Sequence, residues 1–209
     1  PMLTEHRFPA ADLPNLICSR PGAVEDRIII GAHFDKVDPG DGVADNWSGA
    51  ILLTALYQSL SQAPRQNTFA FVAFSDEERG QHGSRAFVDS LDTDQRHQVQ
   101  AMVNLDTLGL SATKVELHEA DPKLACLLAT TANLTGDPLT VRNNGASDSS
   151  DHEPFLEARI PAIRLHSLTP NSTRVIHTGK DRFTAIDPAA YYSSYRLITV
   201  YLAVLDQYY

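Results

Sequence analysis

The chain has 209 residues, of which 43% are hydrophobic and 21% are charged, and its formal net charge at pH 7 is −9. This length and composition are ordinary for a globular protein with one sizeable core, so we expect a single domain over residues 1–209. The acidic balance argues against nucleic acid as a partner, because binding to phosphate groups needs a basic surface.

Two kinds of targeting segment are not evident in the sequence. No apolar run approaches the roughly 20 residues that a membrane-spanning helix needs, so we expect no membrane partner. The first residues, PMLTEHRFPAADLPN, lack the basic and apolar regions of a secretory leader. The compartment stays open: secreted or periplasmic if a leader was removed, and cytoplasmic otherwise. Cys18 and Cys126 lack the spacing of metal ligands, and a disulfide between them is also left open.

In chain order, the predicted elements alternate between strands and helices. Short apolar runs that are bounded by turn residues predict strands at residues 15–19, 27–33, 68–75, 101–106 and 161–166. Apolar periodicity and Asp-Pro start signals predict helices at residues 46–61, 83–91, 121–134 and 188–207. This order is typical of a largely parallel sheet covered on both faces. The polar segment 142–151 is predicted to be a loop beside the functional site.

Carboxylate and imidazole side chains stand where the predicted strands end. They come from four segments that are distant in sequence, and they are His33, Asp35, Asp76, Glu77, Glu78, Asp106 and His177. Ligand sites of open α/β sheets gather at the carboxyl ends of the strands, so we expect these side chains to meet. Two histidines with several carboxylates are the ligand set of a hydrolytic zinc centre, and the surplus carboxylate indicates two metal ions that share a bridge.

Six short segments follow one another along the chain: GAHFD, DNWSG, FSDEERGQHGSRAF, NLDTLG, SDHEPF and IHTGKD. Together they resemble the di-zinc aminopeptidases of the bacterial leucyl aminopeptidase type, a family of zinc exopeptidases whose superfamily includes the glutaminyl cyclases. The resemblance extends from about residue 15 to residue 205. It implies a three-layer αβα sandwich with a mixed, mostly parallel sheet, as in phosphorylase/hydrolase-like zinc peptidases. It also implies an aminopeptidase that acts on peptides with a free amino terminus.

The resemblance carries site roles over to individual residues. By this correspondence His33 and Asp106 are ligands of one Zn²⁺, Glu78 and His177 are ligands of a second, and Asp45 bridges the two ions. Glu77 matches the general base, and Asp35 matches the residue that accepts a hydrogen bond from the imidazole of a ligand histidine. The peptide bond between Asp45 and Asn46 is expected to be cis.

Three functions stay open at this point. The first is an aminopeptidase with two zinc ions, the second a single-zinc glutaminyl cyclase-like acyltransferase, and the third a catalytically silent interaction domain. The intact segments DNWSG and EERGQHGSRAF favour the peptidase. His82 and Thr107 depart from the family pattern, which would have an apolar residue and commonly Met there. The roles of Asp151 and His152, the preferred amino-terminal residue and the oligomeric state are left open.

Overall fold

The computed structural model describes residues 3–9, 11–60, 64–143 and 149–209. The strands are β1 Leu3–His6, β2 Asn15–Arg20, β3 Arg27–His33, β4 Thr68–Phe74, β5 Val99–Leu105, β6 Thr113–Glu116, β7 Leu139–Arg142 and β8 Ala162–Leu165. The helices are α1 Ser48–Ser59, α2 His82–Ser90, α3 Thr93–Gln98, α4 Pro122–Thr135, α5 Glu153–Glu157 and α6 Pro188–Tyr208. Within these ranges, no helix is long and apolar enough to cross a membrane. Half of the predicted loop 142–151, residues 144–148, lies outside the described ranges.

The main sheet has six strands in the order β1-β2-β4-β3-β5-β8. Strand β3 pairs in parallel with β4 and β5, and β5 pairs in parallel with β8. Strands β1 and β2 join the sheet antiparallel at one edge. The predicted mixed, mostly parallel sheet is therefore confirmed. Strands β6 and β7 form a separate parallel pair that contacts β8 through the bridge between Lys114 and His166.

Helices cover both faces of the sheet and bury two hydrophobic clusters. On one face, α1, α4 and α6 pack on the sheet around residues such as Leu52, Leu128 and Tyr201. On the other face, Phe87 of α2 and Phe155 of α5 pack on Phe74 of β4. The three-layer αβα sandwich is thus confirmed. Cys18 and Cys126 are free thiols.

Local signals in the sequence explain where several helices begin. Asp121 and Asp187 each accept backbone N–H hydrogen bonds from the first turn of the helix that follows, as their positions before proline predict. Helix α1 begins at Ser48 and not at the predicted residue 46, because Asp45 and Asn46 have non-helical backbone angles. The bond between these two residues is cis, as expected from the resemblance.

Two glycines allow helices to lie close to the strands that carry the site. A Cβ atom on Gly83 of α2 would lie 2.3 Å from the carbonyl oxygen of Ser75, which follows β4. A Cβ atom on Gly49 of α1 would lie 2.4 Å from the carbonyl oxygen of Leu105, the last residue of β5. Backbone atoms cannot move aside as a side-chain end can, so any larger residue would push these helices away from the sheet.

We expect Gly83→Ala to lower the free energy of unfolding by about 1–3 kcal/mol, the usual cost of overpacking a tight contact. Gly179→Ala is the matched control, because a Cβ atom there meets nothing within 4 Å. The control should change stability by no more than about 0.5 kcal/mol. Urea unfolding of the three proteins measures both effects, and equal midpoints for the two variants would contradict the packing argument.

Candidate functional site

The candidate site lies at the carboxyl ends of the parallel strands β3, β4 and β5. His33 is the last residue of β3, Asp106 directly follows β5, and Glu77 and Glu78 lie in the turn between β4 and α2. His33 is 1% exposed and Asp106 is 4% exposed, so both are held inside the protein. The imidazole of His177 is 50% exposed and forms the outer side of the site.

The carboxylate of Asp45 lies between the two imidazoles. One of its oxygens, Oδ1, is 3.3 Å from Nε2 of His33, and the other, Oδ2, is 2.9 Å from Nε2 of His177. Each oxygen therefore faces a different histidine. This is the arrangement that a bridging carboxylate requires.

The remaining predicted ligands divide between the two histidines. Oδ1 of Asp106 is 3.6 Å from Nε2 of His33, whereas Oε2 of Glu78 is 3.1 Å from Nε2 of His177. The structure thus brings all five predicted ligands together in two groups, with Asp45 between them. Within the described part of the chain, the ligand atoms of His33, Asp45 and Glu78 lie within 4.8 Å of one another.

The turn that carries Asp45 is anchored on two sides. The side chain of Asn46 donates to the carbonyl of Leu105 at 2.8 Å and accepts from the N–H of Thr107 at 3.2 Å, which ties the turn to the end of β5. The buried carboxylate of Asp181 accepts from the N–H groups of Ala44 and Asp45, at 2.6 and 3.1 Å. Asp181 closes the segment IHTGKD, so the signal for it was present although no role was predicted.

Asp35 connects the histidine to the glutamate pair. Its carboxylate accepts from the N–H of Glu77 and from the N–H of Glu78, both at 3.1 Å. The same carboxylate lies 3.5 Å from Nδ1 of His33, while the backbone carbonyl of Asp35 is closer to that nitrogen, at 3.2 Å. Asp35 thus lies beside the imidazole of His33, as the resemblance implies. Its backbone carbonyl, and not its carboxylate, makes the shorter contact with Nδ1.

Two residues that sequence reasoning missed bind the second oxygen of Asp106. Ser150 Oγ donates to Oδ2 of Asp106 at 2.8 Å, and the guanidinium of Arg164 lies 2.9 Å from the same oxygen. Burial opposes ionisation of Asp106, but Arg164 and His33 hold its pKa well below the ordinary range. Ser150 begins the quoted segment SDHEPF, whereas Arg164 sits inside a predicted strand and carried no signal.

Glu77 is the candidate general base. Its Oε2 is 3.9 Å from Nε2 of His33. Burial, followed by the nearby carboxylates of Asp151, Asp106 and Glu78, raises the pKa of Glu77 to about 9, although His33 acts in the opposite direction. Burial and Asp45 likewise raise the pKa of Glu78 to about 7.

Four residues near the site had no predicted role, and the structure shows the surroundings of each. Thr107 contacts the candidate ligand Asp106 directly, because its hydroxyl donates to Oδ1 at 3.1 Å. Asp151 is fully buried, and burial raises its pKa to about 7. His152 faces Glu119 at 3.9 Å, and burial and Arg164 lower its pKa to about 3, so it is a neutral buried histidine. His82 contacts Asp76 at 2.7 Å at the start of α2.

The donor set fits a centre of divalent cations. Several carboxylates lie close together and are buried. Burial and the neighbouring carboxylates raise the pKa values of Glu77 and Glu78. Oε1 of Glu78 is buried and finds no hydrogen-bond partner among the residues that the structure describes. Imidazole and carboxylate groups are the ligands that zinc takes in hydrolytic sites, and bound cations would compensate the buried negative charge.

Comparison with known proteins agrees with this chemistry. A family model of Peptidase family M28 matches residues 15–202. Aminopeptidase YwaD of Bacillus subtilis (strain 168) is 30% identical over 191 residues, which cover 86% of this chain and 41% of YwaD. The chain spans less than half the length of the curated relatives that it matches.

Two solved structures share the fold. The zinc aminopeptidase BSAP from Bacillus subtilis matches with a TM-score of 0.81 and 26% identity, over 91% of this chain and 49% of BSAP. A glutaminyl cyclase from an Acidobacteriales bacterium matches with a TM-score of 0.83 over all of this chain and 79% of its own, but at 19% identity this likeness shows the fold alone. Because the family model covers most of its residues, the chain belongs to peptidase family M28.

Proposed function

We propose that this domain is a metal-dependent aminopeptidase that removes the amino-terminal residue from peptides. The single observation that carries the proposal is the Asp45 carboxylate, whose two oxygens face two histidines at 3.3 and 2.9 Å. One carboxylate between two groups of ligands is what a pair of co-catalytic zinc ions needs. Further support comes from the aminopeptidase and zinc aminopeptidase names of the relatives.

The five candidate ligands would hold two zinc ions. His33 and Asp106 would bind one ion, Glu78 and His177 would bind the other, and Asp45 would bind both. When bound, zinc polarises a substrate carbonyl and lowers the pKa of water from 15.7 toward about 7. Asp106 would bind through Oδ1, which accepts one hydrogen bond from Thr107, because Ser150 and Arg164 both engage Oδ2.

Glu77 is the residue that moves the proton. Its carboxylate takes a proton from the attacking water and then gives it to the nitrogen of the leaving amine. The pKa of Glu77, about 9 in the protein alone, falls as the neighbouring carboxylates are neutralised, which brings it closer to the working pH. Asp35 orients this group by holding the N–H groups of Glu77 and Glu78.

The same ligand set accounts for the requirement for a free amino terminus. His33, Asp45, Asp106, Glu78 and His177 would be occupied by the two ions. A neutral α-amine has a lone pair that one of these ions would take, whereas the amide nitrogen inside a chain has no lone pair available to a metal. We therefore propose an exopeptidase that acts on peptides with a free amino terminus.

Metal content and substrate choice together test the proposed function. A panel of aminoacyl chromogenic substrates should be hydrolysed by the zinc-loaded protein and not after treatment with a chelator. Two zinc ions per chain are expected. One zinc ion with cyclisation of amino-terminal glutamine would favour a glutaminyl cyclase-like acyltransferase, and no zinc with no turnover would favour an interaction domain.

The two neighbouring glutamates should fail in different ways. We expect Glu77→Gln to retain both metals while kcat falls by about 10² to 10⁴, because the amide cannot accept a proton. Glu78→Gln should instead weaken one metal, because an amide oxygen is a poorer zinc ligand than a carboxylate. Zinc analysis after gel filtration and the rate on an aminoacyl amide measure both effects.

Glu157→Gln serves as the control for the glutamate pair, because the Glu157 side chain is 60% exposed and pairs with Arg85 away from the site. It should change neither metal content nor rate. Loss of metal in Glu77→Gln, together with a normal rate and metal content in Glu78→Gln, would reverse the two roles. Normal hydrolysis by both variants would contradict the peptidase proposal.

Metal affinity should rise with pH. Its contact with Asp45 raises the pKa of His177 to about 9, and burial raises the pKa of Glu78 to about 7. Zinc binds both groups in their deprotonated forms, so binding releases protons below these pKa values. Each released proton should add up to about one tenfold step in affinity per pH unit between about pH 6 and pH 8.

Competition with a chelator at several pH values measures this dependence. His177→Gln removes one of the titrating groups, so the affinity for the ion that Glu78 would hold should vary with pH less steeply, by about one tenfold step per unit. An affinity that does not change with pH would show that these groups do not bind the metal.

A further inference from the structure

A surface cleft of about 520 Å³ opens beside the candidate site. It lies between the segments that follow β3 and β4 and the segment that precedes β2. Asp35 and Glu78, which belong to the site, form part of its wall. The cleft therefore adjoins the site and shares two residues with it.

The lining of the cleft includes three large apolar side chains, Leu13, Phe34 and Val37. Leu13 is 56% exposed, so a large part of this apolar side chain faces water at the cleft. Phe34 and Val37 are half-buried. An apolar side chain that entered the cleft would remove part of this surface from water, which is favourable.

The charged groups that line the cleft, apart from Oε1 of Glu78, already have partners. Arg79 contacts Asp76 through Nε and lies 3.8 Å from Asp12 through Nη2. Lys36 pairs with Asp38. The carboxylate of Asp35 accepts two backbone N–H groups. What the cleft offers to a visiting side chain is therefore chiefly its apolar surface.

The position of the cleft identifies the part of the substrate that reaches it. Glu77 gives the proton to the leaving amine, and its neighbours Asp76, Glu78 and Arg79 line the cleft. The opposite side of the site, at the end of β5, is closed as far as the described residues show, because Asp106 and Thr107 are 4% and 1% exposed. The end of β5 therefore leaves little room for the leaving peptide, whereas the cleft of about 520 Å³ has room for a side chain.

We infer that this cleft is the subsite for the substrate residue that follows the scissile bond, and that it takes large apolar side chains. The inference rests on the proposed aminopeptidase function. Binding of this side chain is the same before and during the reaction, so it should act on KM and leave kcat nearly unchanged.

Dipeptide amides with one accepted amino-terminal residue and with Phe, Leu, Gly or Asp in the second position test the inference. The wild-type protein should show the lowest KM for Phe and Leu. Leu13→Ser and Val37→Ala should raise KM for the Phe and Leu substrates by about tenfold and for the Gly substrate hardly at all. Leu134→Ser is the matched control, because Leu134 is 78% exposed on α4, outside the cleft lining.

An aminoacyl amide, which has no second residue, tests the proposed function separately. All four proteins should hydrolyse it at the same rate, which also verifies that the variants fold. Equal KM values for Phe and Gly in the wild-type protein, or equal losses in Leu13→Ser and Leu134→Ser, would overturn the inference. A preference for Asp in the second position would also overturn it, because Arg79 would then attract the carboxylate of that substrate residue.

Discussion

The position of Asp45 between His33 and His177 is the contact on which the site depends, and the fold supports it from both sides. A buried carboxylate is costly unless hydrogen bonds or cations compensate it. Here two imidazoles face its two oxygens at 3.3 and 2.9 Å. Its backbone N–H is bound by Asp181, and the next residue, Asn46, is bound to the end of β5. The turn is therefore held independently of any ligand.

Negative charge is concentrated at this sheet edge beyond what the protein alone neutralises. Arg164 compensates Asp106 at 2.9 Å, but the pKa values of Glu77 and Glu78 are raised to about 9 and about 7 by burial and by neighbouring acids. Raised carboxylate pKa values mean that the folded state resists full ionisation. Cation binding would relieve this cost, so the same feature that favours metal binding makes the metal a stabilising ligand of the native state.

The main sheet and several of the candidate residues were predictable because they follow local rules, whereas the division of roles among the ligands came from the family resemblance. Apolar runs located the main strands, and strand ends located His33, Glu78 and Asp106. The anchors were not predictable in the same way. Asp181 lies in the quoted segment IHTGKD, but its hydrogen bond from the N–H of Ala44, across 137 positions of sequence, leaves no local pattern. Strand β1 is four residues long and mostly exposed, so it has no apolar alternation to detect.

Asp35 shows why roles within the site cannot be divided residue by residue. Glu77 and Glu78 are adjacent, yet one faces His33 at 3.9 Å and the other faces His177 at 3.1 Å. Their divergence depends on the turn after β4, where Oδ1 of Asp35 accepts from the N–H of Glu77 and Oδ2 accepts from the N–H of Glu78. The same side chain lies beside Nδ1 of His33. One carboxylate thus positions both the candidate base and a candidate metal ligand, and a change at Asp35 would reach both.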